Sequence, residues 1–375
     1  MRRTLALFAV AVLSTSAMAH HRQTPPIVQF TNGGDNSWPR AAAMSDRLVA
    51  ALGSPGAKQI FIRQRDRQTF VALTHSGDND NPVTALTSNF IAWDSNGDLL
   101  GNGSVGRQVY LLDNDELIQA AIDPTGTSRK PSINGIGSRV AFESAGDLAG
   151  TVHGGISQVF VRNMNGSIQQ VSRGKGASRN AAFGRSGLRL VFESTSNPDT
   201  GDDTGVSQIW LLAGGGDAAP ITDGAGSSSL PTMSETGRLI SFESSAALAT
   251  DGHDTGVKQV FVYDSYTSLF RQLTDEPGGC HTSYASDAVR ARIVAFVCGS
   301  SAYYTDLTSG IRYKLPIPGG NTTQAMNAGG VHFMQVTTTA NLFGGGTTAG
   351  HQLYQLNLFK LPGQPVAGNV VTFRR

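Results

Sequence analysis

The sequence predicts an all-β fold, a seven-bladed β-propeller of four-stranded antiparallel blades rather than six or eight, and three observations carry it. A Gln followed by a branched apolar residue and an aromatic recurs about every fifty residues, which is the period of one propeller blade. A second aromatic column runs in step with the first. Between the columns, short runs of β-branched and aromatic residues alternate with clusters of Gly, Asp, Ser and Pro, the residues that favour strands and turns respectively.

The first column reads Gln59-Ile60-Phe61, Gln108-Val109-Tyr110, Gln158-Val159-Phe160, Gln208-Ile209-Trp210, Gln259-Val260-Phe261 and Gln352-Leu353-Tyr354. Before the last of these lies a degraded unit, in which Tyr303-Tyr304 takes the aromatic place. The second column reads Trp93-Asp94-Ser95, Phe142-Glu143-Ser144, Phe192-Glu193-Ser194, Phe242-Glu243-Ser244 and Phe296-Val297-Cys298. In the unit from Ser228 to Pro277 the predicted strands are Leu230 to Ser234, Arg238 to Glu243, Lys258 to Asp264 and Phe270 to Thr274. One such sheet cannot bury both of its faces alone, so the units must stack around a ring.

Fourth strands end on an apolar residue followed by Thr or Ser, at Leu73-Thr74, Val171-Ser172, Ile221-Thr222 and Leu273-Thr274. The same ending occurs at Phe30-Thr31, ahead of the first complete unit. The domain is therefore expected to span 27–375, with a closing blade shared by residues 27–31 and 321–375. The tail from Val366 to Arg375 competes for the closing position.

Residues 1–19 have the form of a signal peptide: Arg2 and Arg3, an apolar run from Leu5 to Leu13, and Ala17-Met18-Ala19 before the cleavage point,. A flexible mature N-terminus, 20–26, follows. Cleavage near Ala19 predicts a periplasmic or secreted protein, and it exposes His20-His21, two imidazoles with no third ligand in register for copper. No other segment approaches the roughly 20 apolar residues of a membrane span.

Of 375 residues, 45 are Gly and only 15% are charged, against about 25% in an average globular chain. Disorder and long coiled coils are excluded by that composition. The 29 Lys+Arg against 28 Asp+Glu give a net charge of +1, which lacks the basic footprint of a nucleic-acid binder.

The phrase from Ser234 to Ser244, Ser-Glu-Thr-Gly-Arg-Leu-Ile-Ser-Phe-Glu-Ser, followed by an Asp/Gly loop and then Gln259-Val260-Phe261-Val262-Tyr263-Asp264, resembles the TolB-type β-propeller repeat. The resemblance covers most of residues 27–360 and is strongest in 128–174, 178–224 and 228–278. It implies the fold and an exported location. That family typically has Asp where this chain has Gln at the start of the third strand. Members range from interaction scaffolds to gating domains of peptidases, so function does not follow from the fold.

Candidate chemistry is sparse. No Gly-x-Ser-x-Gly elbow, His-Glu-x-x-His stretch or phosphate-binding loop is present,. Glu143, Glu193 and Glu243 are expected to hydrogen-bond between blades rather than to converge as a glycosidase pair. The loops carrying Asp199, Asp202 and Asp203, and then Asp251 and Asp254, offer the oxygen ligands of Ca²⁺, although Asp and Gly are also ordinary turn residues. No other cofactor is expected. Arg40, Arg129, Lys130, Arg179 and His281 stand near the starts of innermost strands, where they could hold an anionic small ligand or a peptide carboxylate, or simply be solvated. Cys280 and Cys298 flank a hairpin turning near Val289-Arg290, which sets them opposite each other as a cross-strand disulfide. These readings predict an exported, non-catalytic module whose rim and channel mouth bind an envelope or extracellular protein or a small anion. The alternative is a secreted hydrolase or lyase acting on glycans at that mouth.

Overall fold

A computed structural model describes residues 27–31, 37–41, 48–63, 70–86, 90–151, 154–249, 256–287, 292–328, 333–343, 347–358 and 360–366. The chain forms seven antiparallel sheets in a ring; in six of them the strands lie side by side in chain order, and in the seventh the N-terminal strand joins three C-terminal ones. The innermost strands are Ser37–Ala41, Asn79–Thr84, Arg129–Ile133, Ser178–Phe183, Ser228–Met233, Cys280–Ser286 and Thr322–Ala328. In the fifth blade the four strands are Ser228–Met233, Leu239–Ser244, Gln259–Asp264 and Leu269–Gln272. Each lies within two residues of its predicted bounds.

The two aromatic columns are the two halves of one cross-strand pair. Phe142 faces Phe160, Phe192 faces Trp210 and Phe242 faces Phe261 on adjacent strands. Their rings stack at 6.0, 6.2 and 5.9 Å between centroids. Trp93 with Tyr110 and Phe296 with Tyr303 repeat the arrangement. Because successive side chains of a strand point to opposite faces of its sheet, each blade feeds two cores. Phe142 packs toward the second blade while Ala141, its neighbour in sequence, packs toward the fourth. The described residues group into seven apolar clusters, one in each cleft between blades.

The repeated Gln is a hydrogen-bonding peg. Gln158 Oε1 accepts from Ser172 Oγ at 2.6 Å, and Ser172 Oγ accepts from Val159 N–H at 2.8 Å. Gln208 with Thr222 and Gln259 with Thr274 do the same. The fourth-strand Thr or Ser thereby ties the outermost strand to the start of the third.

In the seventh blade the fourth strand is Ile27–Gln29, paired with Gln355, Tyr354 and Leu356. The same peg joins the two ends of the chain: Thr31 Oγ1 lies 3.1 Å from Gln352 Oε1 and accepts from Leu353 N–H at 2.9 Å. The tail does not compete for that position in its described part. Gln364–Pro365 pairs instead with Lys314 and Tyr313, adding a fifth strand to the outer edge of blade six.

Cys280 and Cys298 face each other in register and form a disulfide with Cα atoms 4.3 Å apart. A disulfide is consistent with an oxidising compartment. No helix among the described residues is long and apolar enough to cross a membrane.

Candidate functional site at the central channel

The innermost strands set the geometry of the channel through a repeated bulge. Register shifts occur between Asp80 and Val83, Arg129 and Ser132, Arg179 and Ala182, Ser229 and Thr232, and His281 and Tyr284. At each bulge one non-glycine residue takes a left-handed backbone: Asn81 (φ 50°), Lys130 (49°), Asn180 (53°), Leu230 (52°) and Thr282 (56°). For a non-glycine residue that conformation costs roughly 1–2 kcal/mol. Pro82, Pro131 and Pro231 follow three of these residues and further restrict the backbone before them,.

The strain is offset by the acids of the second column. Lys130 N–H donates to Asp94 Oδ2 at 2.8 Å, and Asn180 N–H to Glu143 Oε2 at 3.0 Å. Leu230 N–H donates to Glu193 Oε2 at 2.6 Å, and Thr282 N–H to Glu243 Oε1 at 2.7 Å. Each carboxylate reaches from one blade to the left-handed residue of the next, and hydrogen bonds to a charged group are worth about 1.5–3 kcal/mol. Burial pushes the Glu243 carboxyl above its ordinary range, against the pull of Thr282 N–H and Lys258. Burial likewise raises Asp94, although the Arg107 guanidinium and Lys130 N–H favour its charged form.

Two further sets of bonds seal the inner edges. Ser132 Oγ accepts from Phe183 N–H at 3.0 Å, and Thr232 Oγ1 from Ala285 N–H at 3.2 Å. At the far end of the channel, Leu86 N–H donates to Gly135 O, Gly135 N–H to Arg185 O, and Arg185 N–H to Glu235 O, at 2.8–2.9 Å. Asp287 N–H continues the belt by donating to the Glu235 carboxylate at 3.0 Å.

The first strands of blades two to seven enclose a cavity of 480 Å³. Its polar lining includes Lys130, Asn180, Thr282, Tyr284 and Gln324. Lys130 Nζ donates to Asn180 Oδ1 at 2.8 Å, bridging adjacent blades across the wall. Arg129 stands beside it, but its Nε is 2.7 Å from Glu143 Oε1, which engages its charge. Arg179 sits opposite Glu193 in register and is exposed, with no hydrogen-bond partner for its side chain among the described residues. His281 holds the same ring position in blade six, opposite Val297. Its Nδ1 lies 2.9 Å from Thr282 Oγ1, and burial holds the imidazole below its usual pKa.

Arg40 departs from this ring. Ser37 pairs with Ala51 before the bulge and Arg40 with Val49 after it. The backbone of Arg40 therefore occupies the register of Ser132 and Thr232, past the bulge, rather than that of Arg129. Asn180, Tyr284 and Gln324 went unmarked in the sequence because nothing in their local pattern reports where a bulge will fall.

The acidic loops do not gather in the described residues. Asp202 is 2.6 Å from Lys175 Nζ, which holds its carboxyl below the usual range. Asp203 accepts from Gly205 N–H at 3.0 Å, and Asp199 N–H donates to Asn197 Oδ1 at 2.9 Å. No group of three or more His, Cys, Asp or Glu side chains among the described residues could hold a metal ion. Asp251 and Asp254 lie outside the described residues.

No family model and no curated protein matches the chain. Solved structures do. An oligogalacturonate lyase in complex with manganese is 10% identical with a TM-score of 0.59, covering 88% of this chain and 92% of that one. The β-propeller domain of the Trilobed protease from Pyrococcus furiosus is 10% identical with a TM-score of 0.56, covering 92% and 100%. TolB from Acinetobacter baumannii is 15% identical with a TM-score of 0.42, covering 70% of this chain and 61% of that protein, so the chain spans about three fifths of its length. Likeness at these identities is one of fold. The chain is a seven-bladed β-propeller.

Proposed function

We propose that the protein is an exported, non-catalytic binding module that takes its ligand at the Lys130 mouth of the central channel. One observation carries the reading. The second-column acids Asp94, Glu143, Glu193 and Glu243 are engaged with backbone N–H groups of the next blade. Glu235, the acid that lines the 480 Å³ cavity at its far end with Arg185, accepts from Ser286 Oγ and Asp287 N–H, and Lys130 is the charged side chain at the other end. Glycan hydrolysis by acid and base needs two carboxyl groups facing each other about 5–10 Å apart across the substrate. Carboxylates committed to holding the ring support binding over such chemistry.

The ligand that fits is a small anion or the terminal carboxylate of an envelope or extracellular protein, met by Lys130 and the exposed Arg179. Export is supported by the N-terminal pattern of residues 1–19 and by the Cys280–Cys298 bridge. Calorimetric titration of the mature protein with small di- and tricarboxylates and with short peptides bearing a free C-terminus tests the proposal. Binding that falls at least tenfold in Lys130→Ala is expected. Equal binding by that variant, or turnover of a glycan by the wild-type chain, overturns it.

A further inference from the structure

The end of the ring opposite the Lys130 mouth carries the turns between first and second strands and between third and fourth. On blades three to five these turns expose four large apolar side chains: Ile136 (55%), Met164 (59%), Leu188 (62%) and Tyr266 (65%). Single exposed apolar residues are ordinary, but neighbouring ones mark a contact surface. These turns are physically joined. Gly135 N–H donates to Arg185 O and Arg185 N–H to Glu235 O, while Gly214 N–H donates to Leu188 O at 3.0 Å. Arg139 bonds to Gly187 O, and Arg189 to Gly237 O at 3.1 Å, each reaching the next blade.

Tyr266 is held between two cations. The Arg189 guanidinium lies 5.3 Å from its ring centre and that of Arg238 lies 5.2 Å away. Both are fixed: Arg189 donates to Ser265 Oγ at 2.5 Å, and Arg238 reaches both carboxylate oxygens of Asp264. An exposed aromatic flanked by immobilised arginines loses little freedom when a partner covers it, and such residues dominate interface energies. Beside Leu188 the turn Gly214-Gly215-Gly216 is bare, and a Cβ built on any of the three would meet nothing within 4 Å. A partner's backbone can approach there.

The charge on this face is unbalanced. Arg139, Arg162, Arg185 and Arg189 have no hydrogen-bonded carboxylate among the described residues, whereas Asp264 is matched by Arg238 and Glu235 is turned to Ser286 and Asp287. Against these four arginines the turns of blades three to five set one further acid, the exposed Asp217. We propose that this face docks an acidic protein surface, its apolar groups covering Leu188 and Tyr266 and its carboxylates meeting the arginines of blades three and four. Positive excess around an apolar centre is complementary to that chemistry.

A random copolymer of glutamate and tyrosine, immobilised and titrated with the full mature chain, tests the proposal. Leu188→Asp and Arg185→Glu, both on exposed turns, should each weaken binding by about tenfold, which corresponds to about 1.4 kcal/mol. Arg173→Glu, on the exposed connection between blades three and four at the opposite end of the ring, should leave it unchanged. An equal loss in Arg173→Glu would mean that overall charge is responsible and would overturn the proposal. So would the absence of copolymer binding, or stronger binding to phosphatidylglycerol vesicles, which would assign the face to a membrane surface.

Discussion

Blades five and six share one strand plan and are held together by different chemistry. In blade five the innermost and second strands meet at Ser228 and Ser244, whose hydroxyls lie 2.9 Å apart. Blade four repeats this with Ser178 and Ser194, and blade seven with Thr322 and Thr338 at 3.2 Å. In blade three an acid joins the pair, Ser128 and Ser144 both donating to Asp123 Oδ2. At the same cross-strand position blade six has the Cys280–Cys298 bond. Blade six also lacks the Gln peg, because its second and third strands are joined by the tight turn Gly299-Ser300 rather than by a long loop. Moreover, Val297 stands where Glu143, Glu193 and Glu243 reach out to the next blade. Where the repeated polar contacts are missing, a covalent bond occupies the position that a hydroxyl pair fills elsewhere.

The sharpest way to break this comparison is to remove the covalent bond. Replacing both Cys280 and Cys298 with Ala should lower stability to denaturant by about 3 kcal/mol, the value for a loop of this size. Replacing both with Ser should recover roughly 1 kcal/mol of that loss, since it restores the hydroxyl pair of blades four and five. Equal midpoints for the Ala and Ser variants would mean that the two positions are not equivalent. Glu193→Ala should cost about 1–3 kcal/mol, because it leaves the Leu230 N–H without its acceptor in a left-handed backbone. The same substitution chemistry at Val297, Val297→Ala, removes packing but no hydrogen bond and should leave the left-handed residues of the ring undisturbed in a backbone-sensitive spectrum.

The smallest effect concerns acid. Burial opposes the charge of Asp123, but Thr125, Ser144 and Ser128 donate to it and hold its carboxyl down at about 2, against 3.8 for the free side chain. A depressed carboxyl contributes stability above its unfolded value and loses it as the pH falls through the folded one. Blade three should therefore lose stability between about pH 4 and pH 2, and Asp123→Asn should flatten that part of the profile. An unchanged acid profile in the variant would remove Asp123 from the account.

Much of this molecule was legible in its sequence. Phe142 and Phe160, eighteen residues apart and in phase with Phe192 and Trp210, announced the blade and its period before any coordinates. Cys280 and Cys298 lay on the two arms of one hairpin, so their pairing followed from folding it back. What the sequence concealed is contact between blades. Glu193 and Leu230 belong to different repeats, and no local pattern says that the side chain of one will meet the main chain of the other. Arg40 was misplaced for a related reason: a bulge shifts the register by one residue, and Arg40 falls on its far side. The arginine-flanked Tyr266 is also an encounter of two blades, with Arg189 arriving from the fourth.

The central claim is that the repeated carboxylates hold the ring by capping the left-handed residues of the following blade. Amide hydrogen exchange on the segment containing Leu230, measured in the wild-type chain and in Glu193→Ala, tests it most directly. Exchange at Leu230 should accelerate strongly in the variant while the segment containing Thr282, capped by Glu243, stays protected. Unchanged protection at Leu230 would contradict the claim and return Glu193 to the search for chemistry.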